Sequence, residues 1–336
     1  MHDKRIRVAL VYKKSYNFFQ PDHFDRTSYD FFFKALKRNK QLEISYYPCE
    51  KKFDVSKIKG KCDIILLPNN RIVDYDDGST DGAPDALIGI KNSNIPVISR
   101  TGDPHDAKKY NQIELHEKFK IDCYWSLQPK SYFYKFYPKH FLYKEILWGL
   151  EPSLYKNLKS YKSRIKNKIL NSGNVGRNDL KSKFGHIFSK DTNSALYFYK
   201  LRTMCNKLPY VDYAGMKESK YINENYPEYL SKYCAAIATG TYYPVIKYFE
   251  IPAAGCLTFM EMTEKNHAEY LGYKDNETAI FVNEKNYKNK FEEYLNDPNN
   301  KKWEEIANSG MDYTINEVNN DKGVESLVEL IESFIK

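Results

Sequence analysis

The segment Tyr242-Tyr243-Pro244-Val245-Ile246-Lys247-Tyr248-Phe249-Glu250-Ile251-Pro252-Ala253-Ala254-Gly255-Cys256-Leu257-Thr258-Phe259 restricts the fold more than any other. Proline suits the first position of a helix and glycine the position just past its end. The spacing therefore predicts a short helix opening at Pro244 and stopped by Gly255. The run Cys256 to Met260 then reads as a buried strand. Continuous apolar strands of this kind belong in parallel sheets covered on both faces.

Other runs repeat the pattern. Arg7 to Tyr12, Leu42 to Tyr46, Asp63 to Leu67, Ile95 to Ser99 and Ile121 to Ser126 read as strands in the first half. A helix from about Asp25 to Arg38 places Tyr29, Phe32, Phe33 and Leu36 at helical spacing, and another is expected from Pro84 to near Asn92. In the second half Asn167 to Asn171, Tyr210 to Tyr213, Ala235 to Thr239, Cys256 to Met260 and Thr278 to Val282 read as strands. Helices fill the remainder to Lys336. Strands alternating with helices indicate doubly wound α/β architecture, and 336 residues suit two domains. The linker falls near Trp148-Gly149-Leu150-Glu151-Pro152.

Hydrophobic content of 42% supports packed cores, and no apolar run approaches the roughly 20 residues of a membrane span. The N-terminus has no signal-peptide cleavage pattern, so a cytoplasmic location is expected. Cys49, Cys62, Cys123, Cys205, Cys234 and Cys256 form no Cys-x-x-Cys pair and read as reduced, buried thiols. The seven histidines show no ligand spacing, and no metal or other cofactor is expected. A net charge of +8 permits an anionic partner without making the chain polybasic.

Phe249-Glu250-Ile251-Pro252-Ala253-Ala254-Gly255 resembles the C-terminal half of the GT-B glycosyltransferases, most closely the CgeB-like branch named after a spore-maturation protein. Asn296-Asp297-Pro298 leading into Trp303-Glu304-Glu305-Ile306-Ala307-Asn308-Ser309-Gly310, read as a helix ending in glycine, is similar to that family's tail. The resemblance covers roughly residues 168–336. It implies two Rossmann-like domains facing a cleft: an acceptor domain at 1–150, a nucleotide-sugar donor domain at 151–320, and a last helix, 321–336, crossing back to the first. It implies a hexosyltransferase that retains the anomeric configuration, and no metal is expected, because basic residues and the helix dipole can stabilise the nucleotide leaving group. The acceptor would be a glycan, a lipid-linked glycan or a protein, with nucleic acid ranked below these. Many retaining members carry two glutamates separated by seven residues. Glu250 matches the second and implies a ribose contact, whereas Tyr242 stands at the first, so the partner carboxylate is missing.

Ligands in open α/β sheets bind beyond the carboxyl ends of the strands, which selects the loops to read. In Ser172-Gly173-Asn174-Val175-Gly176-Arg177, Gly173 lets backbone approach a phosphate, and Arg177 with Lys181 supplies charge. The same residues also fit a plain turn with solvated cations. Thr239, Gly240, Thr241, Tyr242 and Tyr243 lead into the Pro244 helix, where free N–H groups suit the distal phosphate and sugar. Thr241 could equally be an N-cap. Gly215 and Met216, after Tyr213-Ala214, are candidates for the nucleobase pocket or a simple turn. In the first half, Asp103 and His105 in Arg100-Thr101-Gly102-Asp103-Pro104-His105-Asp106 are the catalytic candidates, able to accept a hydroxyl proton or grip the donor sugar. Turn chemistry explains the same loop. His23 is a weaker candidate.

Two segments invite other readings. Asp74, Asp76, Asp77 and Asp81 mimic metal-binding spacing, but Ile88 stands where a calcium loop needs its glutamate, and a mobile acidic loop is the better reading. Residues 130–168 hold ten Lys or Arg against two acids, interleaved with aromatics. That fits peripheral contact with the inner membrane face, or a solvated surface over buried rings. A sugar-nucleotide epimerase and a non-catalytic GT-B relic remain the rival functions.

Overall fold

The computed structural model describes residues 5–16, 28–72, 74, 82–176, 195–215 and 225–335. The chain divides into two compact units, Met1–Gly149 with Asn320–Lys336, and Leu150–Asn319.

The first unit is built on a six-stranded sheet. Its strands are β1 (Ile6–Lys13), β2 (Leu42–Cys49), β4 (Ile64–Leu67), β6 (Val97–Arg100), β7 (Cys123–Ser126) and β8 (Tyr143–Glu145), in the order β2-β1-β4-β6-β7-β8. Every pair is parallel. All four residues of β4 are buried, as are those of β6 and β7, which is why they read as unbroken apolar runs. Order reverses at β1, with β2 on one side and β4 on the other. Helices α1 (Ser28–Arg38), α2 (Gln112–Phe119) and α3 (Lys130–Phe133) belong to this unit.

The rings of residues 130–148 turn inward. Tyr132, Phe133, Tyr137, Phe141, Tyr143 and Trp148 are all buried, and Phe133 stacks on Tyr137 and Tyr143 with centroids 4.4 and 4.1 Å apart. The stretch therefore spends its aromatics on the core, and the membrane-interface reading loses its aromatic half. A second difference concerns 84–92. Ala86–Ile88 is a strand, β5, paired in parallel with β3 (Lys52–Asp54), followed by a 3-10 turn at Ile90–Asn92. Gly89 has φ +82° and interrupts any helix there.

The second unit has a five-stranded parallel sheet of β9 (Ile165–Ser172), β10 (Val211–Ala214), β11 (Tyr233–Ala238), β12 (Leu257–Glu261) and β13 (Ile280–Val282), ordered β10-β9-β11-β12-β13. Its reversal lies at β9. The helices are α4 (Ala195–Phe198), α5 (Lys200–Cys205), α6 (Tyr226–Leu230), α7 (Lys247–Ala253), α8 (Tyr287–Asn296) and α9 (Lys301–Glu317). The last helix, α10 (Asn320–Ile335), returns to the first unit. There Asn320 Oδ1 accepts the Gly149 N–H at 2.7 Å, and Asp321 pairs with Arg38 of α1.

The key helix α7 begins at Lys247, three residues later than expected, because the loop before it is pinned elsewhere. Gly255, at φ +66°, supplies the left-handed stop. Arg164 Nη1 donates to the carbonyls of Ala254 and Gly255 at 2.8 and 2.7 Å, placing a cation at the negative helix end. Pro252 has no N–H for the carbonyl of Tyr248 four residues back. Tyr273 Oη donates to that carbonyl instead, at 2.9 Å, and also meets Thr314 Oγ1 of α9 at 2.8 Å.

Gly310 does not end a helix. It lies inside α9, where a Cβ would run into the carbonyl oxygen of Thr278. Alanine in a free helix would be favoured by about 1 kcal/mol, but overpacking against backbone costs about 1–3 kcal/mol. Gly310→Ala should therefore lower stability in urea denaturation. A gain equal to the helix-propensity difference would show that α9 does not approach this turn so closely.

Candidate functional site

At the carboxyl end of β9 the chain turns at Gly173 with φ +101°, a conformation that favours glycine. The Gly173 N–H bonds to Ala214 O, and Tyr213 Oη donates to Gly173 O, both at 3.0 Å. A Cβ on Gly173 would lie 2.8 Å from Lys247 Cε and 2.9 Å from Arg202 Nη1. The glycine thus lets backbone pass directly against two cationic side chains.

Neither cation forms an ion pair with a carboxylate among the described residues. Arg202 is buried in α5. Its Nη2 donates to Thr239 O at 2.9 Å and its Nη1 to Asn174 O at 3.5 Å, its guanidinium lies 4.3 Å from the Tyr199 ring centroid, and its Nε has no partner among the described residues. Burial lowers its pKa. Lys247 Nζ donates to Tyr226 Oη at 2.7 Å, and that oxygen meets Ser172 Oγ at 2.6 Å. Burial brings Lys247 down to about 8, opposed by Glu250 and reinforced by Arg202. Glu250 stands one turn along α7 and keeps partial solvent access despite dense surroundings. Burial raises its pKa, and Lys247 opposes the rise.

The loop after β11 is tied down on all sides. Gly240 N donates to Glu261 Oε2 at 3.0 Å, and Asn266 Nδ2 donates to Gly240 O at 3.1 Å. The same amide reaches Tyr248 Oη and Glu261 O, at 3.1 and 2.8 Å. Thr241 does not cap α7. Its Oγ1 accepts from Lys200 N, the first residue of α5, at 3.2 Å, while its N–H bonds to Phe198 O at 2.8 Å. These contacts delay α7 until Lys247. Tyr242 stacks on Tyr197 with centroids 4.2 Å apart, and Tyr243 lies edge-on to Phe198.

The structure thus brings Gly173, Thr239 and Glu250 around Lys247 and Arg202, neither of which the sequence singled out. Lys247 had a signal, since three residues before Glu250 is one helical turn. Arg202 had none. Gly215 follows β10 beside Tyr213, which is 43% exposed. Arg177, Lys181, Met216 and His23 lie outside the described residues, as do Asp76, Asp77 and Asp81. Asp74 pairs with the buried Lys13 at 2.9 Å, and Lys13 also holds Asp85 at 2.8 Å.

In the first unit, one ligand atom from each of Asp103, His105 and Asp106 lies within 4.8 Å of the others. His105 Nδ1 is 3.3 Å from Tyr132 Oη, and Asp106 faces Arg71 at 3.8 Å. The loop is a 3-10 turn opened by Pro104.

No family model matches the sequence, and no curated protein matches it. Solved structures do. HepE from Anabaena, in complex with UDP-glucose, aligns over 98% of this chain and 100% of its own with TM-score 0.58 at 11% identity. Sucrose-phosphate synthase from Thermosynechococcus elongatus aligns over 98% and 99% with TM-score 0.55 at 11% identity. An alpha-glucosyltransferase in complex with UDP-glucose and DNA containing an abasic site gives 0.55 at 10% identity over 98% and 99%. The fold is GT-B. Among the described residues no helix is long and apolar enough to cross a membrane.

Glu261 provides a test of the loop anchor. Burial raises its pKa from 4.5 to about 7. The folded chain therefore binds this proton more tightly than the unfolded chain. The stability it contributes is full below the unfolded pKa and is lost as pH rises through about 7. Glu261→Gln, uncharged throughout, should gain on wild type between about pH 5 and about pH 8, by up to about 3 kcal/mol. A pH-independent difference in urea midpoints would show that Glu261 does not titrate in this way.

Proposed function

We propose that this chain is a glycosyltransferase of hexosyl type, moving a sugar from a nucleotide-activated donor to a hydroxyl acceptor. The observation that carries the reading is a pair of cations, buried Arg202 and half-buried Lys247, set against the Gly173 turn without an ion-paired carboxylate among the described residues. Buried charge is expensive unless compensated. A diphosphate at the end of β9 would supply the missing anions, at the strand where sheet order reverses.

Lys247 and Arg202 would hold the diphosphate, joined by Arg177 and Lys181. Glu250 would accept hydrogen bonds from the ribose hydroxyls. Tyr213, Gly215 and Met216 would flank the base. Thr239, Thr241, Tyr242 and Tyr243 would line the sugar end, with Gly240 contributing loop shape, because its N–H and C=O are already engaged by Glu261 and Asn266. Asp103 and His105 would act on the acceptor hydroxyl. HepE and the alpha-glucosyltransferase carry UDP-glucose in their structures, which makes a uridine diphosphate hexose the first donor to try. Retention of configuration and membership of the CgeB-like branch rest on the resemblance of 249–255. All six cysteines are free and buried, which suits action in a reducing cytoplasm. The second reading is a nucleotide-binding protein without turnover, favoured by Tyr242 at the place of a glutamate. Release of hexose from UDP-hexoses separates the two.

UDP affinity should fall as pH rises above about 8, where free Lys247 loses its proton. Lys247→Met should weaken UDP binding and flatten that alkaline limb. Calorimetric titration across the range decides, and an unchanged profile removes Lys247 from the phosphate site. Glu250→Ala should weaken UDP binding roughly ten- to a hundredfold, the loss expected for hydrogen bonds to a charged group. Unaltered affinity in a folded variant would remove the ribose role. Because protein cations are taken to offset the diphosphate, turnover should survive EDTA. Loss on chelation, restored by manganese or magnesium, would overturn that assignment.

A further inference from the structure

Lys247 makes no ion pair with the carboxylate nearest to it along its own helix. Glu250 stands three residues on in α7, and side chains at that spacing are neighbours on a helix surface. The same order and spacing closes ion pairs in α8 and α10, Lys290 with Glu293 at 3.7 Å and Lys322 with Glu325 at 3.1 Å. Between Lys302 and Glu305 of α9 it stays open, and there Glu293 holds the lysine at 2.7 Å instead. Lys247 and Glu250 are both half-buried, where charges are screened less than at the surface. An unmade pair in that setting requires something that holds the ammonium elsewhere.

Tyr226 does so. Lys247 Nζ donates to its phenol oxygen at 2.7 Å and lies 4.3 Å from its ring centroid. The phenol is itself anchored. Its oxygen meets Ser172 Oγ at 2.6 Å, at the end of β9, and its ring is buried where α6 opens. Lys247 is the first residue of α7, and helical side chains lean toward the N-terminus. Gly173 leaves room for that lean, since a Cβ there would lie 2.8 Å from Lys247 Cε. The lysine stem therefore runs over Gly173 to the end of β9 rather than along α7 to Glu250.

The result is a cation and a carboxylate one helical turn apart that do not cancel. An ammonium paired with the glutamate of its own helix would offer neither charge to a ligand. We propose that Tyr226 is a positioning residue, whose phenol holds the Lys247 ammonium off Glu250 and so leaves both groups open to a ligand. That the ligand is a nucleoside diphosphate rests on the preceding reading, whereas the tether does not.

Four groups face the ammonium: Glu250 of α7, Arg202 of α5, Tyr199 just before α5, and Tyr226 of α6. Glu250 and Tyr199 favour its charged form, and Arg202 opposes it. These signs make the tether measurable. Tyr226→Phe removes the acceptor. An ammonium that stays in place then loses a hydrogen bond to its charged form, and its pKa falls. An ammonium that swings to Glu250 gains an opposite charge, and its pKa rises.

The test reads the 13Cε shift of Lys247 against pH in the full chain without nucleotide, assigned by its loss in Lys247→Met. Wild type should titrate at about 8. Tyr226→Phe should titrate at a pH at least about 1 higher. Adding Glu250→Gln should bring it back to the wild-type value or below. Ser172→Ala combined with Tyr226→Phe leaves no stranded hydroxyl, so it supplies a background that folds, with the same expected rise. Calorimetry with pyrophosphate, which has no ribose, follows. Its affinity should fall roughly tenfold in Tyr226→Phe and recover when Glu250→Gln is added, while UDP stays weak for want of the ribose contact. A tyrosine that only supports the fold would show no such recovery. The inference is overturned by a Lys247 pKa that falls or stays in Tyr226→Phe, or by a rise that Glu250→Gln leaves in place. Equal, measurable pyrophosphate affinity in wild type and Tyr226→Phe would also overturn it. Titrations that run as expected in a protein binding neither pyrophosphate nor UDP would sustain the tether and sink the preceding reading.

Discussion

Two positive charges at the end of one strand, buried Arg202 and half-buried Lys247, set the terms for the second unit. Both lose hydration, and no described carboxylate forms an ion pair with either, although Glu250 attracts Lys247 from one helical turn away. What compensates them is partial: the Thr239 and Asn174 carbonyls and Tyr199 face for Arg202, the Tyr226 hydroxyl for Lys247. Each compensating group is placed by a different element. Thr239 follows β11, Tyr226 opens α6, and Ser172, which completes the Lys247–Tyr226 chain, ends β9. Gly173 is required because any side chain there would collide with the cations. The strand ends, the loop and two helices are therefore arranged around a deficit of negative charge, and the Glu261–Gly240–Asn266 knot fixes where α7 may begin.

The fold was largely legible, because burial on both faces leaves continuous apolar runs that need no partner to be recognised. The strands at Asp63 to Leu67 and Cys256 to Met260 are of this kind. What failed were segments whose state depends on something distant. Ala86–Ile88 looks helical until β3 offers it an edge, and Gly310 looks like a stop until Thr278 is seen to press on the helix. Pro244 looks like a first helical residue until Glu261, Asn266 and Phe198 are seen to hold the loop before it.

The candidate site was legible only in part, for the same reason. Glu250 stands out as one acid in an apolar helix, and Gly173 as a glycine at a strand end. Arg202 sits in a stretch that looks like any surface helix, and its burial follows from the Gly173 turn and the Thr239 carbonyl. The tether on Lys247 is invisible in sequence altogether, because Ser172, Tyr226 and Lys247 become neighbours only through the fold. In the aromatic stretch composition left both an outward face and a solvated surface over buried rings open, and Phe133, Tyr137 and Tyr143, stacked on one another inside, agree with the second.

Pro252 leaves the Tyr248 carbonyl without its helical partner, and the Tyr273 hydroxyl fills the gap while also meeting Thr314. Residues 252 and 273 are therefore coupled through one carbonyl. A variant that gains an N–H at 252 makes the phenol redundant at that carbonyl. A variant that loses the phenol while keeping proline strands an acceptor inside the protein. The tolerable route between the two states passes through the first change before the second, so the order in which such substitutions accumulate is set by one missing hydrogen.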